Sequence, residues 1–435
     1  MGNFFELDFP GTAVITDDGR AVSYSELAEM AESWASTIPP RSLVFLLVQN
    51  ELGSLVSYVA CLNYGIVPLM LSSSIDSSLL EKLKKTYKPS RIFKNGQLIE
   101  SYDDQIALHN DLALLLTTSG STGSPKLVRQ SYRNIKANCE SIVEYLHLDE
   151  KERPITTLPM NYTYGLSIIN THLAVGATVL LTDKTLMQRE FWTFFNEQGA
   201  TSFGGVPYTY EMLDRLMFFR RKLPSLRTMT QAGGKITPEL HRKFAEWADK
   251  EGKKFVVMYG QCEATARMSF LPPERSLDKI GSMGIAIPGG RFEILDGELV
   301  YYGANVTLGY AECAADLAKG DERGGRLVTG DMARVDEDGF YYIVGRKKRF
   351  LKIFGNRVNL DETERLIKGA FPGLDCACGG VDDKMRIYLT DTGQIGEVRK
   401  FVSEKTRLNF VAFDVVCIDS IPKNESGKIL YAELP

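Results

Sequence analysis

The chain has 435 residues, 44% hydrophobic and 24% charged, ordinary values for a globular protein of more than one domain. Its formal net charge of −4 argues against general affinity for nucleic acid or acidic membranes, unless a local basic patch provides it. Residues 1–10 lack a basic segment followed by an apolar core, and apolar runs such as Leu43–Val48 are too short to span a bilayer. A cytoplasmic chain with no membrane insertion is expected. The seven cysteines are odd in number and scattered, which suits reduced thiols. Cys376 and Cys378 form the only close pair, no histidine lies near them, and no G-x-S-x-G occurs, so neither a structural metal nor a hydrolase triad is expected.

Ser23-Tyr-Ser-Glu26 has the form of a capping box and opens a helical pattern reaching about Ala35. Leu43–Val48 reads as a buried strand, followed by helical patterns near 52–64 and 77–86. Leu112–Thr117 reads as another buried strand, ending in a glycine-rich loop that feeds a helix over Tyr132–Leu146. Strand-like runs at 155–158, 178–181, 202–206 and 255–259 then alternate with helical patterns such as Pro238–Lys250. That alternation predicts an α/β fold with parallel-rich sheets in a large N-terminal domain of several subdomains. Beyond residue 281 the pattern turns β-rich, with Arg291–Leu295, Glu298–Tyr302, Arg326–Val335 and 340–344 as expected strands. A compact α+β tail follows, with helical patterns at Leu360–Ala370 and 393–408. The boundary is expected at Gly345/Arg346, giving domains 1–345 and 346–435.

The strongest local signal is Thr117-Thr118-Ser119-Gly120-Ser121-Thr122-Gly123-Ser124-Pro125-Lys126, directly after a buried strand. Glycines let backbone N–H groups converge on an anion, hydroxyls add donors and the lysine adds positive charge. A polyphosphate needs these groups. No Gly-Lys-Ser/Thr is present, so the Walker spacing fails, and a plain Ser/Gly turn is the competing reading.

Further motifs follow in order. They are Gln231-Ala-Gly233-Gly234-Lys235, Tyr259-Gly260-Gln-Cys262-Glu263, Val328-Thr-Gly-Asp331 and Arg346-Lys-Lys348-Arg-Phe-Leu-Lys352-Ile-Phe-Gly355. The last is Pro422-Lys-Asn-Glu-Ser-Gly427-Lys428. Singly, each has a bland reading: a helix-entry turn, a solvated glutamate, an exposed strand-end aspartate, a solvated basic face, a solvated terminal lysine. Together and in this order, over nearly the whole chain, they resemble the AMP-forming adenylating superfamily of acyl-CoA synthetases, peptide-synthetase adenylation domains and beetle luciferases.

The resemblance implies ATP and Mg²⁺ as cofactors, with the C-terminal domain acting as a mobile lid. It assigns Thr118, Ser119, Gly120, Ser121, Thr122, Gly123 and Lys126 to the phosphates, Gly233, Gly234, Tyr259 and Gly260 to the adenine side, and Glu263 with Thr118 to the metal. Asp331 and Arg346 are assigned to the ribose, and Lys348 to the lid's pivot. Lys428 is expected to serve adenylation, and Lys352 beside Gly355 the thioester step. Cys262 stands where relatives carry a threonine facing the α-phosphate, and a thiol is a weaker donor than a hydroxyl. Tyr162, in a position often held by histidine, lines the implied acyl pocket with Gly205 and Pro207. Amino-acid-activating relatives carry an aspartate in the Tyr162 segment, and 159–165 has none.

The implied reaction is activation of a small carboxylic acid to an acyl-adenylate, then transfer to the thiol of CoA. A phosphopantetheine arm on an acyl or peptidyl carrier protein is the alternative acceptor, because the tail and the region before the phosphate loop are short. A nucleotide-binding regulator without chemistry is the reading from another class, and the joint presence of Lys428, Glu263 and Asp331 argues against it.

Overall fold

A computed structural model describes residues 4–103, 105–117, 126–347, 349–423 and 429–435, the side chain of Arg357 excepted. The chain divides into two compact units: Met1–Arg291 with Tyr301–Leu327, and Phe292–Val300 with Val328–Pro435.

The first unit is mixed α/β, as the alternating pattern predicts. Leu43–Val48 is apolar at every position and buried along its whole length, as a strand covered on both faces must be. It sits inside a seven-stranded sheet, in the order Gly309–Ala311, Leu127–Ser131, Leu112–Thr117, Val67–Ser72, Leu43–Val48, Arg91–Lys94 and Gln97–Ser101. The pairings from Leu112–Thr117 to Arg91–Lys94 are parallel. The capping box opens the first helix as read: Ser23 Oγ accepts from Glu26 N at 3.2 Å, and Glu26 Oε2 accepts from Ser23 N at 2.7 Å.

Two expectations need correction. The strand Leu112–Thr117 does not lead straight to a helix. Leu127–Ser131 intervenes as an antiparallel strand, with Thr117 opposite Leu127, and the helix Tyr132–Leu146 starts only after it. Residues 155–158 do not form a strand either. Pro154 bridges to Ser202 and Ile155 to Leu180, so the segment divides its hydrogen bonds between two neighbouring strands and joins neither.

A second sheet carries Ser202–Gly205, Thr228–Gln231 and Lys254–Tyr259 in parallel, then Ser269–Phe270 and Ile285–Ala286 antiparallel. The helix Pro238–Lys250 buries Leu240, Phe244 and Ala245, with Thr237 Oγ1 accepting from Leu240 N at 3.3 Å as its N-cap.

In the second unit, the helices Leu360–Ala370 and Ile395–Thr406 pack on a sheet of Cys376–Val381, Lys384–Leu389 and Phe413–Cys417. Gly345 and Arg346 end one strand of this unit, Tyr341–Arg346. The hairpin Phe350–Ile353/Asn356–Asn359 turns through Phe354 at φ 49° and Gly355 at φ 80°. Two successive positive φ values match the right-handed twist of a two-residue hairpin, and glycine holds one of them without strain.

A polar network ties this unit together. The Arg349 guanidinium, only 12% exposed, donates to Asp361 Oδ1 (2.8 Å), Glu364 Oε1 (2.5 Å) and the Cys378 carbonyl (2.7 Å). Its Cζ stacks 3.7 Å over the Tyr431 ring, whose hydroxyl donates to Glu364 Oε2 at 2.9 Å. Burial pushes the Glu364 carboxyl above the usual range, opposed by Arg349 beside it.

Candidate active site

In an open α/β sheet, ligands gather where parallel strands end at their carboxyl termini. The three parallel strands of the second sheet end at Gly205, Gln231 and Tyr259. The residues immediately beyond them are Pro207, Gly233, Gly234, Gly260, Cys262 and Glu263, so separate motifs meet at one edge.

Steric fit explains the glycines. A Cβ at Gly260 would lie 1.6 Å from the Ala266 carbonyl oxygen, which no side chain can do. Gly233 has φ +82°, and a Cβ there would meet the Tyr162 hydroxyl at 2.5 Å; one at Gly234 would meet Pro207 Cγ at 3.0 Å. Pro207 occupies the first turn of the helix Pro207–Arg215, where its missing N–H costs nothing. Tyr162 therefore lies against Gly233, and the glycine pair rests on the Val206-Pro207 turn.

Behind this edge stands an aromatic and aliphatic wall. Tyr164, Ile168, Val206, Ala232 and Met258 are buried together with Tyr162 against them. The Tyr164 hydroxyl pairs with Thr230 Oγ1 at 2.7 Å. Cys262 is half-buried and packs against the core formed by the first sheet and its helices, while its carbonyl accepts from Gln130 Nε2 at 3.3 Å. Gln261 Nε2 donates to the Tyr259 hydroxyl at 3.1 Å.

Glu263 lies in a single 3₁₀ turn, Cys262–Ala264. Its Oε1 accepts from the Tyr310 hydroxyl at 2.7 Å, and its carbonyl accepts from Thr307 N and Oγ1, both at 3.0 Å. Burial and the adjacent Glu263 carboxylate push the Tyr310 phenol up to about 12, so it stays a donor at neutral pH. Lys126 Nζ lies 3.8 Å over the Tyr310 ring and 3.3 Å from Glu312 Oε1. Sequence reasoning missed Tyr310. It reaches Lys126 because its strand pairs with Leu127–Ser131, Ala311 opposite Leu127, a tertiary relation with no local signal.

One buried side chain locks that pairing. Arg129, fully buried, donates through Nε to the Tyr310 carbonyl at 3.0 Å and through its terminal nitrogens to the carbonyls of Leu308, Lys319 and Gly320 and to Glu322.

In the second unit, Asp331 and Arg346 face each other across a strand pair, with Arg346 Nε 3.6 Å from Asp331 Oδ1. Glu298, also missed, holds their surroundings: its Oε1 accepts from Gly330 N at 3.2 Å and its Oε2 pairs with Lys347 Nζ at 2.7 Å. Lys352 has an exposed side chain, and its amide donates to Asp382 Oδ1 at 2.8 Å. Thr118, Ser119, Gly120, Ser121, Thr122, Gly123, Lys348 and Lys428 lie outside the described residues.

Glycine turns, a carboxylate-bearing turn and an apolar wall at one strand-end edge, with Lys126 near the carboxylate's tyrosine partner, are the arrangement an adenylate-forming enzyme needs. The comparisons make this specific. Residues 85–311 match the family described as AMP-binding enzyme. Peroxisomal OPC-8:0-CoA ligase 1 of Arabidopsis thaliana is 30% identical, over 85% of this chain and 70% of that protein. The 2-succinylbenzoate–CoA ligase of Listeria innocua is 24% identical over 97% of this chain and 95% of its own length. In fold, the O-succinylbenzoate coenzyme A synthetase of Bacillus subtilis in complex with AMP superposes with a TM-score of 0.84, at 22% identity, covering 100% of this chain and 98% of that one. The chain belongs to the AMP-binding enzyme family. No helix among the described residues is long and apolar enough to cross a membrane.

Tyr310→Phe removes a hydrogen bond to a carboxylate, an interaction that contributes about 1.5–3 kcal/mol. Its kcat/KM for MgATP in pyrophosphate exchange is expected to fall roughly 10–100-fold. An unchanged value would detach Tyr310 from the site.

Proposed function

We propose that this chain is an AMP-forming acid–CoA ligase for a carboxylic acid with an apolar or aromatic body. A carboxylate oxygen of the acid attacks the α-phosphorus of ATP, the bond to pyrophosphate breaks, and an acyl-adenylate forms. The sulfur of CoA then attacks the acyl carbon, and AMP departs as its bond to that carbon breaks. The observation that carries this reading is the meeting of Gly205, Pro207, Gly233, Gly234, Gly260 and Glu263 at one strand-end edge backed by Tyr162 and Tyr164.

Glu263 suits magnesium. One of its oxygens is oriented by Tyr310, and among the described residues no group of three or more His, Cys, Asp or Glu side chains could hold a metal alone. Magnesium keeps several waters and relies on one or two carboxylates with substrate phosphates. Bound by Glu263 and the Thr118 hydroxyl, it supplies charge neutralisation. Ser119, Gly120, Ser121, Thr122, Gly123 and Lys126 cradle the phosphates, Tyr259 meets the adenine, and Asp331 with Arg346 takes the ribose. Residues 346–435 act as a lid pivoting at Lys348, with Lys428 serving adenylation and Lys352 the thiol step. The odd number of scattered cysteines supports a reducing, cytoplasmic setting.

Pyrophosphate exchange across a panel of carboxylic acids tests the first half-reaction. If no acid drives exchange, the ligase reading falls. Thioester yield with free CoA, compared with a phosphopantetheinylated carrier protein, identifies the acceptor. Lys352→Ala is expected to leave single-turnover acyl-AMP formation near the parent rate while slowing thioester formation at least ~10-fold, the cost of one charged contact. Equal slowing of both steps would remove Lys352 from the second orientation.

A further inference from the structure

Arg267 carries a charge buried against the wall described above, and it is only 2% exposed. Its Cζ lies 4.9 Å over the Tyr164 ring, and Nη1 donates to the Tyr145 hydroxyl and to Met258 Sδ, both at 3.2 Å. Tyr145 in turn stacks on Phe270, centroids 4.2 Å apart. No carboxylate among the described residues pairs with Arg267. Its buried Nε has no acceptor, and Nη2 makes no hydrogen bond to the described residues. A buried guanidinium without an anion is costly, and a cation–π contact with one phenol offsets only part of that.

The donors without a partner among the described residues are adjacent. Nε and Nη2 form the side edge of the guanidinium, the planar fork that a carboxylate takes through both oxygens. Tyr164, on which the guanidinium stacks, has its ring 6.3 Å from that of Tyr162, the residue lying on the Gly233 turn.

We infer that Arg267 sets substrate choice: the acid this enzyme activates carries a second carboxylate at the far end of its apolar or aromatic body, held by the Nε/Nη2 edge. The inference rests on the acid-activating reading and deepens it. The first carboxylate reacts at the strand-end edge while the second stays in the wall, so the acid is activated at one end only.

The test is pyrophosphate exchange on matched acid pairs, aryl and alkyl, in which a terminal methyl or hydrogen is replaced by carboxylate. The parent enzyme is expected to favour the dicarboxylate by ~10–100-fold in kcat/KM, the range for one charged hydrogen-bonding contact. Arg267→Gln should abolish that preference by raising KM for the dicarboxylate while leaving kcat within about threefold, since a tail contact acts mainly on binding. Arg267→Lys keeps the charge without the fork and should recover only part of it. A parent that uses both members of each pair equally overturns the inference, as does Arg267→Gln lowering both equally. The parent's own ratio decides even if a variant fails to fold. Monoacids driving exchange while dicarboxylates do not would sink the Arg267 assignment and leave the ligase reading standing; silence from every acid would sink the ligase reading itself.

Discussion

Lys428→Ala is expected to lower acid-dependent pyrophosphate exchange by ~10²–10³, the usual loss when a preorganised charge is removed from a transition state. ATP affinity should stay close to the parent's, because the nucleotide contacts proposed for the first unit remain. The flanking structure sharpens the contrast with the other lysine of the same motif, Lys423. Lys423 bridges to Ile429, Leu430 N donates to the Pro422 carbonyl at 2.9 Å, and Lys423 Nζ is held by Asp375 Oδ2 at 2.5 Å. The charge of Lys423 is already neutralised within its own unit, so Lys423→Ala should keep most of the exchange rate. Measuring both variants side by side with equilibrium ATP binding isolates the role of position 428. Parent-like exchange by Lys428→Ala, or equal losses in both variants, would assign the chemistry elsewhere.

The second large effect is on stability. Arg349→Met is expected to destabilise the second unit by about 3–5 kcal/mol, the cost of leaving a buried partner charge uncompensated. Arg349 neutralises Glu364 while bonding Asp361 and the Cys378 carbonyl, and it stacks on Tyr431. With the guanidinium gone, Glu364 can avoid the penalty only by taking up a proton, the direction in which burial already pushes it. The variant should therefore recover part of its stability as pH falls through the raised carboxyl range, opposite to the usual loss of paired carboxylates in acid. Denaturant unfolding at two pH values measures this. A loss under about 1 kcal/mol, the scale of a surface ion pair, would mean that the network is not buried in solution.

Local chemistry made much of the architecture readable. The Ser23/Glu26 box, the apolar run Leu43–Val48 and the period of Pro238–Lys250 each state their element within a few residues. Leu127–Ser131 did not, because Arg129 and Gln130 look solvent-facing in sequence yet are fully buried. The groups that make burial of Arg129 tolerable lie about 180 to 190 positions later in the chain, beyond any local pattern. The segment 155–158 misled for a related reason: its composition suits a strand, but two different strands divide its pairing. In the candidate site, residues on turns with a steric signature, such as Gly233 and Gly260, were visible. Tyr310, Glu298 and Arg267 were not, since each takes its meaning from a neighbour that only folding supplies.

Arg129 also has a consequence for the heat of ligand binding. By bonding the carbonyls of Leu308 and Tyr310 from within the strand Leu127–Ser131, it joins Lys126, Tyr310 and Glu263 into one bracket of hydrogen bonds and a cation–π contact without a nucleotide. Ordering of that bracket belongs to the folding of the first unit. The nucleotide contacts proposed there are consequently expected to carry little conformational entropy loss and little of the negative heat-capacity change that accompanies coupled folding.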